Sequence, residues 1–209
     1  MKKPQTRKIS KNSQKSTPSL KKAGSKIFII SGPSGVGEDS VINGLKKKMK
    51  FNRVRTTVTR KPRIGESQGK PYFFTTVNDF KKMIKADEFI EWAIVYGDYR
   101  GATKKEIDRV LKLKNPVLWK VDWQGVRTIQ KQIPESVSIF IVPGSYQELE
   151  QRIIQRKKDS LKTIKSREVE TKKWLRQTKL YDYVVVNKQG ELEKTIEKVA
   201  AIIKKELKA

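Results

Sequence analysis

Apolar positions cluster first at Ile27-Phe-Ile-Ile30, an unbroken run that ends at Ser31 and a glycine-rich turn. A run this short and without alternation reads as a strand covered on both faces. The next segment, from Asp39 to about Met49, has helical spacing, so the chain opens as a βα unit. Three further β-rich runs, Val117–Val121, Val137–Val142 and Tyr183–Val186, share that character. Apolar residues recur at helical spacing between and after them: Leu149, Ile153 and Ile154 within Tyr146–Lys157, then Leu192, Ile196, Val199, Ile203 and Leu207 in the final segment. Strands alternating with helices predict an α/β fold built on a doubly wound parallel sheet.

Two stretches depart from this alternation. Residues 51–102 are rich in Thr, Arg, Gly, Pro and aromatics over Arg53–Phe74, with a short helix near Asn78–Lys85, and predict an inserted, mixed β subdomain that binds substrate. Residues 1–25 lack apolar periodicity and cannot pack a core, so the folded domain is expected over 26–209.

Composition narrows the chemistry. The 209 residues contain no Cys and no His, which excludes a disulfide framework, a thiol nucleophile, a thiolate metal site and a histidine base. What remains is positioning, carboxylates and cations. Lys and Arg number 48 against 22 Asp and Glu, a formal charge of +26. Eight basic residues and no acidic one fall in residues 1–25, which read either as a solvated, disordered arm or as an electrostatic tether to nucleic acid or another anionic surface. No apolar run approaches the ~20 residues of a membrane span, and no secretory core is present, so a cytoplasmic location is the expectation.

The turn after the first strand carries the sharpest signal. Gly32, Pro33, Ser34, Gly35, Val36 and Gly37 let the backbone curl and aim N–H groups at phosphate oxygens beside a helix N-terminus. The P-loop pattern G-x-x-x-x-G-K-[ST] fits from Gly32 to Gly37, but Glu38 stands where lysine is required, followed by Asp39 and Ser40. Taken alone, the loop is also compatible with a tight turn that holds no ligand. Downstream, Arg60 and Arg63 with Tyr72 nearby suit a dianionic phosphate, since guanidinium forks pair bidentately with its oxygens; a solvated basic loop is the other reading.

Further blocks follow in order. They are Thr59-Arg-Lys-Pro-Arg-Ile-Gly-Glu66, Gly69, Tyr72, Phe74, Glu91-Trp92, Gly97-Asp-Tyr-Arg-Gly101, Asp122-Trp-Gln-Gly125, Ile139-Phe-Ile, Arg152, Arg156, Asp159-Ser160, Arg167 and Tyr181-Asp-Tyr-Val-Val-Val-Asn187. From about Lys26 to Glu206 this ordered set resembles the guanylate kinase family. The resemblance implies a P-loop nucleoside monophosphate kinase with an inserted GMP-binding subdomain and a helical lid at about 152–170. It implies ATP bound by the loop from Gly32 to Ser40 and by Asn187, with Ser40 holding Mg²⁺. It implies GMP bound by Thr56, Arg60, Arg63, Glu66, Tyr72, Glu91, Arg100 and Asp122, and catalytic lid arginines at Arg152, Arg156 and Arg167. A strand Thr at Thr56, a basic helical face for the lid arginines and a turn Asn at Asn187 are the plainer readings.

The chain departs from the family pattern at four positions. Glu38 replaces the loop lysine, Arg100 a phosphate-binding tyrosine, Ala102 a hydroxyl of the guanine site, and Lys120 an acidic residue two before Asp122. Thr103 either substitutes for the missing hydroxyl or, with Glu106, caps a helix. Near phosphate, exchanging lysine for a carboxylate turns an attraction of ~4 kcal/mol into repulsion. The expected function is transfer of the γ-phosphate of ATP to GMP, impaired by Glu38, with a catalytically dead binding module as the alternative. Lys120 and Glu38 also read together as a charge exchange, in which Lys120 supplies the phosphate-facing cation; independent drift of the two positions is the other reading.

Overall fold

The structure, a computed structural model, describes residues 25–95, 97–155 and 171–209. Its main sheet has the order β10-β9-β1-β8-β2, from β1 (Ile27–Ser31), β2 (Asn52–Arg53), β8 (Val117–Lys120), β9 (Val137–Pro143) and β10 (Tyr183–Asn187), every neighbour parallel. Along β1 the side chains divide between two cores. Ile27 and Ile29 face one with Val117, Trp119 and Phe140, while Phe28 and Ile30 face the other with Leu118, Ile139 and Ile141. The unbroken apolar run is explained by this double burial.

Helices close both faces. On the first lie α3 (Lys104–Leu111) and α4 (Trp123–Gln132), with Trp174 from the helical residues 171–175. On the second lie α1 (Glu38–Lys48), α5 (Tyr146–Gln155) and the terminal α6 (Leu192–Glu206). Ile196, Val199 and Ile203 are buried, but Leu192 and Leu207, expected on the same stripe, are exposed at the two ends of the helix. Ile154 likewise points to solvent, because five residues from Leu149 is ~140° around a helix.

A second sheet, β4-β5-β3-β7-β6, is formed by β3 (Thr57–Val58), β4 (Ser67–Gln68), β5 (Pro71–Phe74), β6 (Phe89–Val95) and β7 (Asp98–Thr103). It mixes parallel β3–β5 and β4–β5 pairs with antiparallel β3–β7 and β6–β7 pairs. Asn52 and Arg53, which begin the segment expected to be inserted, instead pair with β8 in the main sheet. The expected helix is α2 (Val77–Lys85), capped by Thr76. Of the arm expected over 1–25 only Ser25 is described, and it belongs to the folded body, buried and donating to the Leu113 carbonyl at 2.6 Å; of the lid expected at about 152–170, residues 156–170 lie outside the described residues.

One ion network ties the two sheets together. Glu106, 3% exposed, accepts from Arg55 Nη2 at 3.0 Å and from the Arg55 backbone N–H at 2.9 Å, and from Arg109 Nε and Nη2 at 2.8 Å each. Thr103 caps α3 by accepting from the Glu106 N–H at 3.2 Å, so the cap reading of Thr103 holds, although the Glu106 carboxylate serves the arginines instead of closing the box. Burial works to raise the Glu106 pKa, but the arginine bonds outweigh it and hold it below the usual value. Because the folded pKa is depressed, this stabilisation is full above the unfolded value near ~4.3 and fades as pH falls through the folded value. Glu106→Gln should cost ~1–3 kcal/mol in urea unfolding at pH 7, and the gap from the unaltered chain should narrow on acidification below pH ~4.

Candidate functional site

β1 hands directly to a loop that only glycine geometry permits. Gly35 and Gly37 have φ of 94° and 99°, and a Cβ on Gly32 would lie 2.7 Å from the Ile141 carbonyl oxygen. Gly37 caps α1 with no side-chain bond, leaving the first-turn N–H groups of the helix without an acceptor from the cap. Such an uncapped N-terminus attracts anions. Behind the loop, Asn187 Nδ2 donates to the Val36 carbonyl at 2.7 Å and its Oδ1 accepts from Thr195 at 3.0 Å. Arg152 donates to the Asn187 carbonyl at 2.9 Å and to Gln189 Oε1 at 2.8 Å. Asn187 therefore braces the loop with its amide, and together with Arg152, Gly35, Gly37 and Ser40 it borders a groove of about 340 Å³.

At the lysine position of the motif the side chains are acidic, and two cations meet them. Lys120 Nζ lies 2.7 Å from Asp39 Oδ2 and 3.6 Å from Glu38 Oε2, while Arg53 Nη2 donates to Asp39 Oδ1 at 3.0 Å. Burial pushes the Glu38 carboxyl up to about 7 against the pull of Lys120. For Asp39, burial works upward but Lys120 and Arg53 outweigh it, holding the carboxyl below its ordinary range. Burial would lower the Lys120 pKa, yet Glu38, Tyr72 and Asp39 hold the ammonium above its usual value. The loop's negative charge is thus matched from β8 and β2.

The facing wall belongs to the second sheet and the start of α4. Arg60 makes a two-pronged pair with Glu66, at 2.6 and 2.8 Å, and lies 5.1 Å over the Tyr72 ring. Glu66 also accepts from the Arg63 N–H at 2.9 Å, so it faces the two arginines and sets the shape of their turn. Glu91 is 4% exposed and accepts from the Ala102 N–H at 3.1 Å. Burial, then the charge of Asp122, raise its pKa well above the usual carboxylate value. Asp122 caps α4 through Oδ1, accepting from Gln124 and Gly125, and burial raises its pKa against those bonds. Arg100 Nε is buried and has no hydrogen-bond partner among the described residues.

A single cleft of about 490 Å³ gathers Gly32, Ser34, Gly35, Gly37, Glu38, Asp39 and Ser40 with Thr56, Arg60, Arg63, Glu66, Tyr72, Glu91, Arg100, Lys120 and Asp122. Pro33 and Val36 shape the loop from outside that lining, Val36 fully buried. Arg156 and Arg167 lie outside the described residues. Ala102 is a core residue, and the backbone N–H, not a side chain, is its contact with Glu91. Sequence reasoning missed Arg53, whose two-residue strand carries no motif, and the cleft-lining Trp174 and Asp98. The capping role of Asp122 did carry a signal, since Asp directly before a helical run is a preferred N-cap.

Comparison with known proteins agrees with this architecture. The family described as guanylate kinase matches residues 24–206. The guanylate kinase of Rickettsia prowazekii (strain Madrid E) is 39% identical over 178 residues, covering 85% of this chain and 89% of that protein. That of Caldanaerobacter subterraneus subsp. tengcongensis is 39% identical over 186 residues, covering 88% and 89%. A crystal structure of guanylate kinase from Anaplasma phagocytophilum superposes with a TM-score of 0.68 at 26% identity, covering 88% of this chain and 87% of that one.

The loop's close approach to β9 generates a stability prediction. Gly32→Ala should lower the urea midpoint by an amount equivalent to ~1–3 kcal/mol, because its Cβ would press on the backbone of a buried strand that has no room to move.

Proposed function

The chain belongs to the guanylate kinase family, and from that membership we propose that it transfers the γ-phosphoryl group of ATP to GMP, giving ADP and GDP. The observation that carries the proposal is the single cleft in which an uncapped phosphate loop faces a buried Glu91 and the Arg60–Arg63–Tyr72 cluster. A non-catalytic binding module is not favoured, since the relatives matched over 85–88% of the chain are guanylate kinases.

Each wall has a task in this reading. The backbone of Gly35 and Gly37 and the start of α1 receive the donor phosphates. Glu91 accepts from guanine N1–H and N2–H, a pairing that adenine cannot offer. Arg60, fixed by Glu66 and the Tyr72 ring, and Arg63 and Arg100 receive the acceptor phosphate. The acceptor oxygen attacks the γ-phosphorus in line and no side-chain nucleophile is required, in keeping with a chain that has no Cys or His.

Magnesium fits the residues present. Such an ion takes one or two protein oxygens and completes its shell with waters and substrate phosphates. Ser40, lining the cleft on the first turn of α1, would hold it. When bound, the ion would draw charge off the transferring phosphoryl group.

A coupled assay should show ADP formation that depends on GMP and is not supported by AMP; ADP release at the same rate with neither acceptor present would overturn the proposal. Glu91 adds a pH signature. Its pKa is raised in the free protein, and guanine donors favour the ionised form, so GMP binding should release a proton. Below the free-state pKa the affinity should fall ~10-fold per pH unit. Calorimetry in two buffers of different ionisation enthalpy measures that proton, and Glu91→Gln should lose both the pH dependence and the preference for GMP over AMP.

A further inference from the structure

A phosphate loop of this pattern ordinarily places a lysine from the first turn of its helix against the donor phosphates. Here that position is Glu38, so the cation must come from elsewhere or be missing. Among the described residues, four cationic side chains stand near the loop. Arg152 on α5 donates to the Val36 carbonyl at 3.4 Å and to the Asn187 carbonyl at 2.9 Å, so it braces the loop from the side of the smaller groove. Arg53 is held by Asp39 at 3.0 Å and lies 5.8 Å over the Tyr72 ring, behind the acidic residue. Arg100 stands on β7, in the wall opposite the loop. Lys120 is the last residue of β8, which runs parallel to β1 with Lys120 level with Ile30, so it leaves the sheet at the edge from which the loop itself springs.

The environment of Lys120 favours that role. Its side chain is 20% exposed, it lines the cleft, and Asp39 Oδ2 holds its ammonium at 2.7 Å within 3.6 Å of Glu38 Oε2. Arg53 balances Asp39 from the other side, so the Lys120 charge is not fully consumed by that contact. An ammonium carries three donors, and Asp39 takes one of them here.

We infer that Lys120 is the catalytic cation of the donor site, reaching from β8 to the β- and γ-phosphates in place of a loop lysine, with Asp39 as its positioning residue. This rests on the reading of the cleft as an ATP and GMP site. In the transfer, a GMP phosphate oxygen forms its bond to the γ-phosphorus as the bond from that phosphorus to the β,γ-bridging oxygen breaks, and ADP leaves with the electron pair. Lys120 gives up no proton; it stays an ammonium and neutralises the charge that builds on the bridging and γ oxygens.

The test uses the full chain and two variants, Lys120→Met and the double change Glu38→Gln with Lys120→Met. Calorimetry with a non-hydrolysable ATP analogue and, separately, with GMP is combined with the coupled assay, and thermal unfolding reports folding. The double variant leaves neither a buried lone carboxylate nor an unpaired ammonium, so it keeps the question open if the single variant does not fold. Both variants should lose ~10-fold or more in affinity for the ATP analogue and ~100-fold in turnover, while GMP affinity stays within about twofold. If the double variant recovers the unaltered affinity and turnover, Lys120 merely neutralises Glu38 and the inference is overturned. Equal losses for GMP and the analogue would also overturn it, by showing a general collapse of the cleft. An unaltered chain that binds neither ligand would instead remove the nucleotide-site reading itself.

Discussion

Double burial of β1 governs the site. With apolar side chains packed into separate cores on its two faces, the strand can meet a ligand only at an end, and at its carboxyl end three parallel strands stop side by side. From β1 comes the phosphate loop, from β8 come Lys120 and Asp122, and from β9 comes the Ile141 carbonyl that forbids a side chain on Gly32. A crevice at the strand ends is the general consequence of an open parallel sheet. What is particular here is that one edge supplies both the backbone donors and Lys120, which meets the first turn of α1 at Asp39 and Glu38.

The acidic residues of the cleft differ in how their burial is compensated. Asp39 has two cations and stays ionised; Glu38 shares Lys120 with it and is pushed up towards neutrality. Asp122 is satisfied by the two N–H groups it caps, whereas Glu91 has one backbone donor and the repulsion of Asp122. A buried carboxylate with spare acceptor capacity is costly until a ligand supplies donors. In the proposed GMP site that cost would let Glu91 discriminate, because a base lacking those donors leaves the carboxyl group unrelieved.

The sheet strands were legible because both-face burial forces continuous apolar runs, and the P-loop was legible because its glycines answer to backbone geometry. Side-chain pairing across the cleft was only partly so. Glu66 belongs to the same short motif as Arg60, but nothing local says that it grips the guanidinium instead of a ligand. Arg53 sits on a strand of two residues whose sheet membership is set by β8, over sixty positions away in sequence, and its pairing with Asp39 is a tertiary fact. The terminal helix shows the opposite limit: its periodicity names five apolar positions, yet only the central ones meet the sheet, since the helix is longer than the face it covers.

The chain's charge and the cleft's charge run in opposite directions. Against a formal +26 for the whole protein, the cleft is lined by six acidic residues and four basic ones. The outer field steers anions towards the molecule over about a Debye length and weakens with salt. Inside, Arg60 is held by Glu66 and Lys120 by Asp39 and Glu38, so these two cations are fixed in place before a ligand arrives. An anion entering this cleft meets Arg60 and Lys120 already oriented, beside acidic groups of which Glu38, Glu91 and Asp122 are pushed by burial towards their neutral forms. For the proposed nucleotide site, affinity would then depend more on the placement of a few paired side chains than on the surplus positive charge, whose larger effect is on the rate of encounter.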